Sequence, residues 1–171
     1  AQRLKLLNNL LSATGMAVSC EALILGVKWG LDPQVMLDII NDGEASSSAT
    51  RNKFPQSILP RRFDFGARMA ITAKDTSLTV KESEELGVPM WIGQSVRQIW
   101  NYAASQGGWD KDGTSLITFL EPWAGVVVKG NGQKENTPVA QAGDDRRART
   151  KAAAVAPQAG KQRPDDRELE A

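Results

Sequence analysis

Residues 1–29 restrict the fold before anything else in the chain does. Leu4, Leu7, Leu11, Val18, Ala22, Leu25 and Trp29 recur at mostly three- and four-residue steps. A second stripe of Leu6, Leu10, Ala13, Ala17 and Ile24 covers much of the other side. A helix that is apolar around most of its circumference is expected at the centre of a helical domain, buried by the elements laid against it. Gly30 is placed to end it. Asp32 then serves as a cap and Pro33 as the first position of the next helix.

The rest of the body repeats the same period. Val35, Met36, Ile39 and Ile40 mark a second helix that stops near Asp42-Gly43. After the small polar loop Ala45–Ser48, a short helix is predicted over Arg51–Leu59, capped by Ser48 or Thr50. A fourth helix follows Asp64 and closes at Gly87, and a fifth runs over 90–106 to Gly107-Gly108. A sixth, capped by Asp112 or Thr114, runs through Leu116, Ile117, Leu120 and Trp123. Only Val126–Val128 reads as a strand. The expected fold is all-α, with six or so helices over residues 1–129.

From Gly130 on, the character changes. Residues 130–171 carry 15 charged side chains, no aromatics, and only Val139, Val155 and Leu169 as sizeable apolar groups. Such a segment buries too little surface to offset its ordering entropy, so a disordered, solvated tail is expected there. The chain also opens on Ala1, inside a helical pattern, which is the look of a fragment cut from something longer.

Composition removes whole classes of chemistry. There is no histidine, so Ser-His-Asp, Cys-His and His-ligated metal mechanisms fall away, and no metal is expected. The single cysteine, Cys20, forms no intramolecular disulfide and reads as a small core residue in a reducing, cytoplasmic compartment. Lys+Arg (21) nearly cancel Asp+Glu (20), which argues against a nucleic-acid partner. We see no unbroken run of about 18 apolar residues and so expect no membrane span. A glycine-rich phosphate loop and a strand–helix–strand alternation are both missing, so a dinucleotide is not held by that route alone.

One constellation is hard to read as packing. Lys5, Asn9 and Ser12 are spaced four and three apart, which puts them on one helix face. A lysine desolvated by apolar neighbours has its ammonium form disfavoured, the condition for exchanging a proton with a substrate near neutral pH. An asparagine beside it supplies one donor and one acceptor side for positioning. The plain alternative, a solvated lysine on an exposed first turn, is favoured by spacing alone. Lys74-Asp75 reads from the residues as a solvated pair, and Phe63 and Phe65 as a packing staple. Ser46–Ser48 reads as a flexible loop.

These pieces together resemble a known family. Lys5-Leu6-Leu7-Asn8-Asn9, Glu21-Ala22, Gly30-Leu31-Asp32-Pro33, Lys74-Asp75-x-x-Leu78 and Gly87-Val88-Pro89 are similar, in order and spacing, to the C-terminal helical domain of the β-hydroxyacid dehydrogenases, including 3-hydroxyisobutyrate dehydrogenase. The resemblance covers roughly residues 1–129. It implies a domain that closes over a Rossmann half binding NAD or NADP and that forms a homodimer. It also implies that Lys5 is the acid/base for a small hydroxy-acid substrate and that Asn9 fixes substrate and lysine; Ser12, on the same helix face, is expected at the substrate with them. Lys74, Asp75 and Phe65 then lie toward the cofactor. The Rossmann half is absent from these residues, so the chain alone is expected to be inactive. The other reading is a helical oligomerisation module that kept the fold and lost the enzyme.

Overall fold

A computed structural model describes residues 2–131, and within them the architecture is helical, as the periodicity predicts. Five α-helices are present: α1 (Gln2–Lys28), α2 (Pro33–Asp42), α3 (Met69–Glu85), α4 (Trp91–Ala103) and α5 (Leu116–Ala124). A sixth helix, Ala49–Ile58, is a π-helix between α2 and α3. The only β pairing among the described residues is an isolated antiparallel bridge between Arg68 and Asp112. The charged tail expected from Gly130 onward lies, from residue 132 on, outside the described residues.

The helix boundaries follow from local chemistry. Gly30 adopts φ +86°, a left-handed conformation that only glycine takes freely. It donates to the Val27 carbonyl at 2.9 Å while Leu31 donates to Gly26 at 2.9 Å, the paired bonds that close a helix around a left-handed residue. Asp32 accepts from the amides of Gln34 and Val35 at 2.8 and 3.1 Å and caps α2, with Pro33 at its first turn. Asp112, the first of the two caps offered by the sequence, accepts from the Thr114 amide at 2.8 Å and opens the turn leading into α5.

The π-helix departs from expectation in start, cap and type. Pro55 has no N–H to give to residue 51, and its ring collides with that carbonyl in α geometry, so the segment widens. Ser48 makes no cap bond. Ser47 and Thr50 fill that role reciprocally, Ser47 N–H to Thr50 Oγ1 at 2.9 Å and Thr50 N–H to Ser47 Oγ at 3.3 Å.

α1 is central, packed by α2, the π-helix, α3, α4 and α5. Its burial is nevertheless one-sided. Leu6, Ala13, Met16, Ala17, Cys20, Leu23 and Ile24 are buried, whereas Leu4, Leu7, Leu11, Val18, Leu25 and Trp29 are exposed. The expectation of burial all round holds for the second stripe and not for the first, because five neighbours cover only one side of a helix this long. Length and mean hydropathy give a second measure of the same helix. By length and composition α1 is long and apolar enough to cross a bilayer, its many Leu and Ala residues raising the mean hydropathy although polar residues interrupt the apolar run. A soluble core helix passes the same test, and α1 has Cys20 and Leu23 fully covered by its neighbours.

Val126–Val128 form no strand. The Arg61 guanidinium meets the Glu121 carboxylate side by side, at 2.6 and 3.0 Å, and Glu121 also accepts the Val128 amide at 2.8 Å. Glu121 is 4 % exposed, so this pair is the buried clamp that holds the segment after α5 against residues 57–63. Truncating Glu121→Ala strands a largely covered arginine and is expected to cost about 3–5 kcal/mol in urea unfolding. On α1, Leu23→Ala is expected to cost about 2–5 kcal/mol, whereas Leu11→Ala should stay within about 0.5 kcal/mol. Equal losses at the two leucines would contradict the one-sided burial.

Candidate functional site

The polar face of α1 opens onto a cavity of about 150 Å³. Asn9 and Ser12 come from α1, Lys53 from the π-helix, Phe65 from the loop before α3, and Asp112 from the turn before α5. Ala13, Met16, Ile71 and Trp100 make the apolar part of its wall. The antiparallel bridge explains why distant segments meet here: Met69 N–H to Lys111 O at 2.8 Å and Gly113 N–H to Ala67 O at 2.7 Å tie the start of α3 to the start of α5. The Trp100 indole anchors α4 to α1 by donating to the Ala13 carbonyl at 3.2 Å.

Of the residues singled out from sequence, Asn9, Ser12 and Phe65 line this cavity. Asp75 is joined to them, because Asn9 Nδ2 donates to Asp75 Oδ2 at 2.7 Å across 66 residues of sequence. Lys74 and Asp75 therefore do not behave as one solvated pair: Asp75 turns toward α1 while Lys74 stays exposed. Lys5, one turn before Asn9, is also exposed and outside the cavity wall. The desolvation expected of Lys5 is thus not met among the described residues, since the first turn of α1 projects past the helices that cover its middle. Phe65 stands in the wall at 39 % exposure rather than acting as a staple. Phe63 packs partly against the core with the Arg61 guanidinium 4.7 Å from its ring centre.

The half-buried lysine is a different one. Lys53 Nζ donates to Ser12 Oγ at 3.0 Å and takes part in no ion pair among the described residues. Burial lowers its pKa from the ordinary lysine value, while the negative charge of Asp112 and the nearby Cys20 push the other way. Asp112 is itself committed: it accepts from the amides of Gly66 at 2.7 Å and Thr114 at 2.8 Å, and from the Thr114 hydroxyl. Nothing in the spacing of the π-helix marks Lys53 out. Its burial depends on neighbours from elsewhere in the chain, Ser12 arriving from 41 residues away. Cys20 is fully buried and burial pushes its thiol strongly up, as fits an inert core residue. No cluster of three or more metal-ligating side chains occurs among the described residues.

Fold and cavity define a class: an all-helical domain with a polar cleft on the flank of its long central helix. Residues 1–120 match the family described as NAD-binding of NADP-dependent 3-hydroxyisobutyrate dehydrogenase, and the chain belongs to that family. It is 34% identical over 126 residues to a 2-(hydroxymethyl)glutarate dehydrogenase of Eubacterium barkeri, covering 74% of this chain and 42% of that one. It is 32% identical over 125 residues to a mitochondrial 3-hydroxyisobutyrate dehydrogenase of Bos taurus, covering 70% and 37%. Among solved structures it is similar to Mycobacterium tuberculosis 3-hydroxyisobutyrate dehydrogenase with L-serine, at a TM-score of 0.65 and 25% identity, covering 70% and 43%. The chain thus spans about two fifths of the length of these relatives.

Of the residues that the resemblance assigns to a cofactor, Phe65 is partly exposed in the cavity wall, and Lys74 is exposed outside that wall with no ion-pair partner among the described residues.

The lowered pKa of Lys53 means that, between it and the ordinary lysine value of about 10.4, the unfolded chain binds more protons than the folded one. Stability of the protein should therefore rise with pH through that window, because the cost of the buried charge is lifted there. Lys53→Met removes the cost at all pH values. The variant should melt above the parent at pH 7, and its advantage should shrink as the pH approaches 10. A variant that melts lower at pH 7 would contradict this.

Proposed function

We propose that this chain is the C-terminal, substrate-side domain of an NAD(P)-dependent 3-hydroxy-acid dehydrogenase, with Lys5 as the proton-transfer residue. The observation that carries the reading is the Asn9–Asp75 hydrogen bond of 2.7 Å. It joins two sequence elements, Lys5-x-x-x-Asn9 and Lys74-Asp75, that the resemblance places at one cleft, and family membership supplies the reaction class.

In this reading a nucleotide-binding domain outside these residues holds NAD or NADP, which supplies the hydride acceptor. Lys5 takes the proton of the substrate hydroxyl as its carbon becomes a carbonyl. Asn9, its amide N–H given to Asp75, keeps its carbonyl oxygen for Lys5 or for the substrate hydroxyl. Closure of the second domain over α1 would exclude water from Lys5 and the substrate hydroxyl. Phe65 and Lys74 lie on the cofactor side of the cleft.

The test is reconstitution. The chain joined to a nucleotide-binding domain from a relative is expected to oxidise 3-hydroxy acids with NAD or NADP, and Lys5→Ala should lower kcat by about 100- to 10,000-fold. Unchanged kcat in the Lys5→Ala enzyme sinks the assignment. The 171-residue chain by itself is expected to show no turnover, and turnover by it would overturn the need for a second domain.

The exposed stripe of Leu4, Leu7, Leu11, Val18, Leu25 and Trp29 favours a second reading, a non-catalytic helical module that self-associates, most simply as a homodimer. Sedimentation distinguishes it: a monomer at micromolar concentration would rule the module out.

A further inference from the structure

We propose that the cavity beneath Lys53 is a subsite for the carboxylate of a short aliphatic acid, bound by the Lys53 ammonium and the Ser12 hydroxyl with its methylenes against Met16 and Trp100. It deepens the dehydrogenase reading by naming where a charged end of the substrate would rest, and for that role it rests on that reading. The binding itself does not depend on catalysis.

Three observations carry the assignment. The first is the lysine. An ammonium has three donors, and Lys53 spends one on Ser12, with no carboxylate within ion-pair distance among the described residues. A half-buried cation with unused donors costs stability, and a ligand anion is the partner that would recover it. The second is the committed state of Asp112. Its carboxylate oxygens already accept from the Gly66 and Thr114 amides and the Thr114 hydroxyl, so its hydrogen-bonding capacity is taken up there. Its negative charge favours the ammonium form of Lys53 against the effect of burial, yet it forms no ion pair with the lysine and leaves the remaining donor positions free. The third is size and lining. A cavity of about 150 Å³ has room for about five waters at liquid density, the scale of a small organic acid. Met16 and Trp100 give it an apolar side that suits methylenes and does nothing for a phosphate or sulfate.

The position along α1 fits a hydroxy acid. Ser12 lies three residues beyond Asn9, about 4.5 Å along the helix axis, a distance a short aliphatic chain covers. An acid group on Lys53 and Ser12 therefore directs the rest of the molecule along α1 toward Asn9 and Lys5.

The experiment is a titration of the full 171-residue chain with glutarate, followed by 1H–15N spectra at the Trp100 indole and the Ala13 and Gly113 amides. Sulfate at matched ionic strength is the control. Saturable shifts at these positions are expected, weakened at least tenfold in Lys53→Met and partly retained in Lys53→Arg. The methionine variant is expected to be the more stable protein, so its loss of binding would not reflect unfolding. Equal response to sulfate, no saturable shift, or binding unchanged in Lys53→Met each overturns the subsite. Absence of turnover after reconstitution, with glutarate binding intact, fails the dehydrogenase reading alone. Turnover without a glutarate response fails the subsite alone.

Discussion

Everything described in residues 2–131 depends on one face of α1. Met16, Cys20 and Leu23 on that face are at most 1 % exposed, and each of the other helices closes over some part of the same helix. Burial of apolar area is the dominant favourable contribution to folding. A helix of 27 residues is about 40 Å long, so it presents enough of that area to organise a whole small domain. The site is a by-product of this arrangement. Where α3, α4, the π-helix and the start of α5 converge on α1, the polar side chains of Asn9 and Ser12 fall at the edge of the buried stripe and are left at a cleft.

Two polar devices then position what the hydrophobic face cannot. The Arg61–Glu121 pair and its bond to Val128 pull the segment after α5 back across residues 57–63. The paired bonds of Met69 and Gly113 bring the start of α3 against the start of α5. Together they place Phe65 and Asp112 beside the polar edge of α1. Charged pairs of this kind add less to net stability than an equal apolar area, since both charges must leave water, but they allow one arrangement and exclude others.

The elements were readable because their signals are local. Gly30 with Asp32-Pro33, Gly87 and Asp112 act within a turn of themselves, and each does in the structure what its residue type dictates. The type of the third helix was less so. Pro55 is visible in the sequence, but whether a proline breaks, kinks or widens a helix is decided by what packs on either side of it. The apolar periodicity of α1 was legible, and which of its two stripes is covered was not, because both have the same spacing. An average over a window and an unbroken run are likewise different measures of one helix, and α1 is long and apolar enough to cross a bilayer by the first and not by the second.

The sequence by itself determined the helical class, the order of the helices, the ends marked by Gly30, Asp32-Pro33, Gly87 and Asp112, and the two motifs around Lys5 and Lys74, all of which rest on spacing and on short-range backbone chemistry. The tertiary structure decided which lysine is desolvated. Lys5 keeps its contact with water in the described residues, whereas Lys53, ordinary in its own segment, is held against Ser12 and near Asp112. Burial is a property of what surrounds a residue rather than of the residue. The neighbours of Lys53 come from segments 41 and 59 positions away, distances over which no periodicity in the chain carries information.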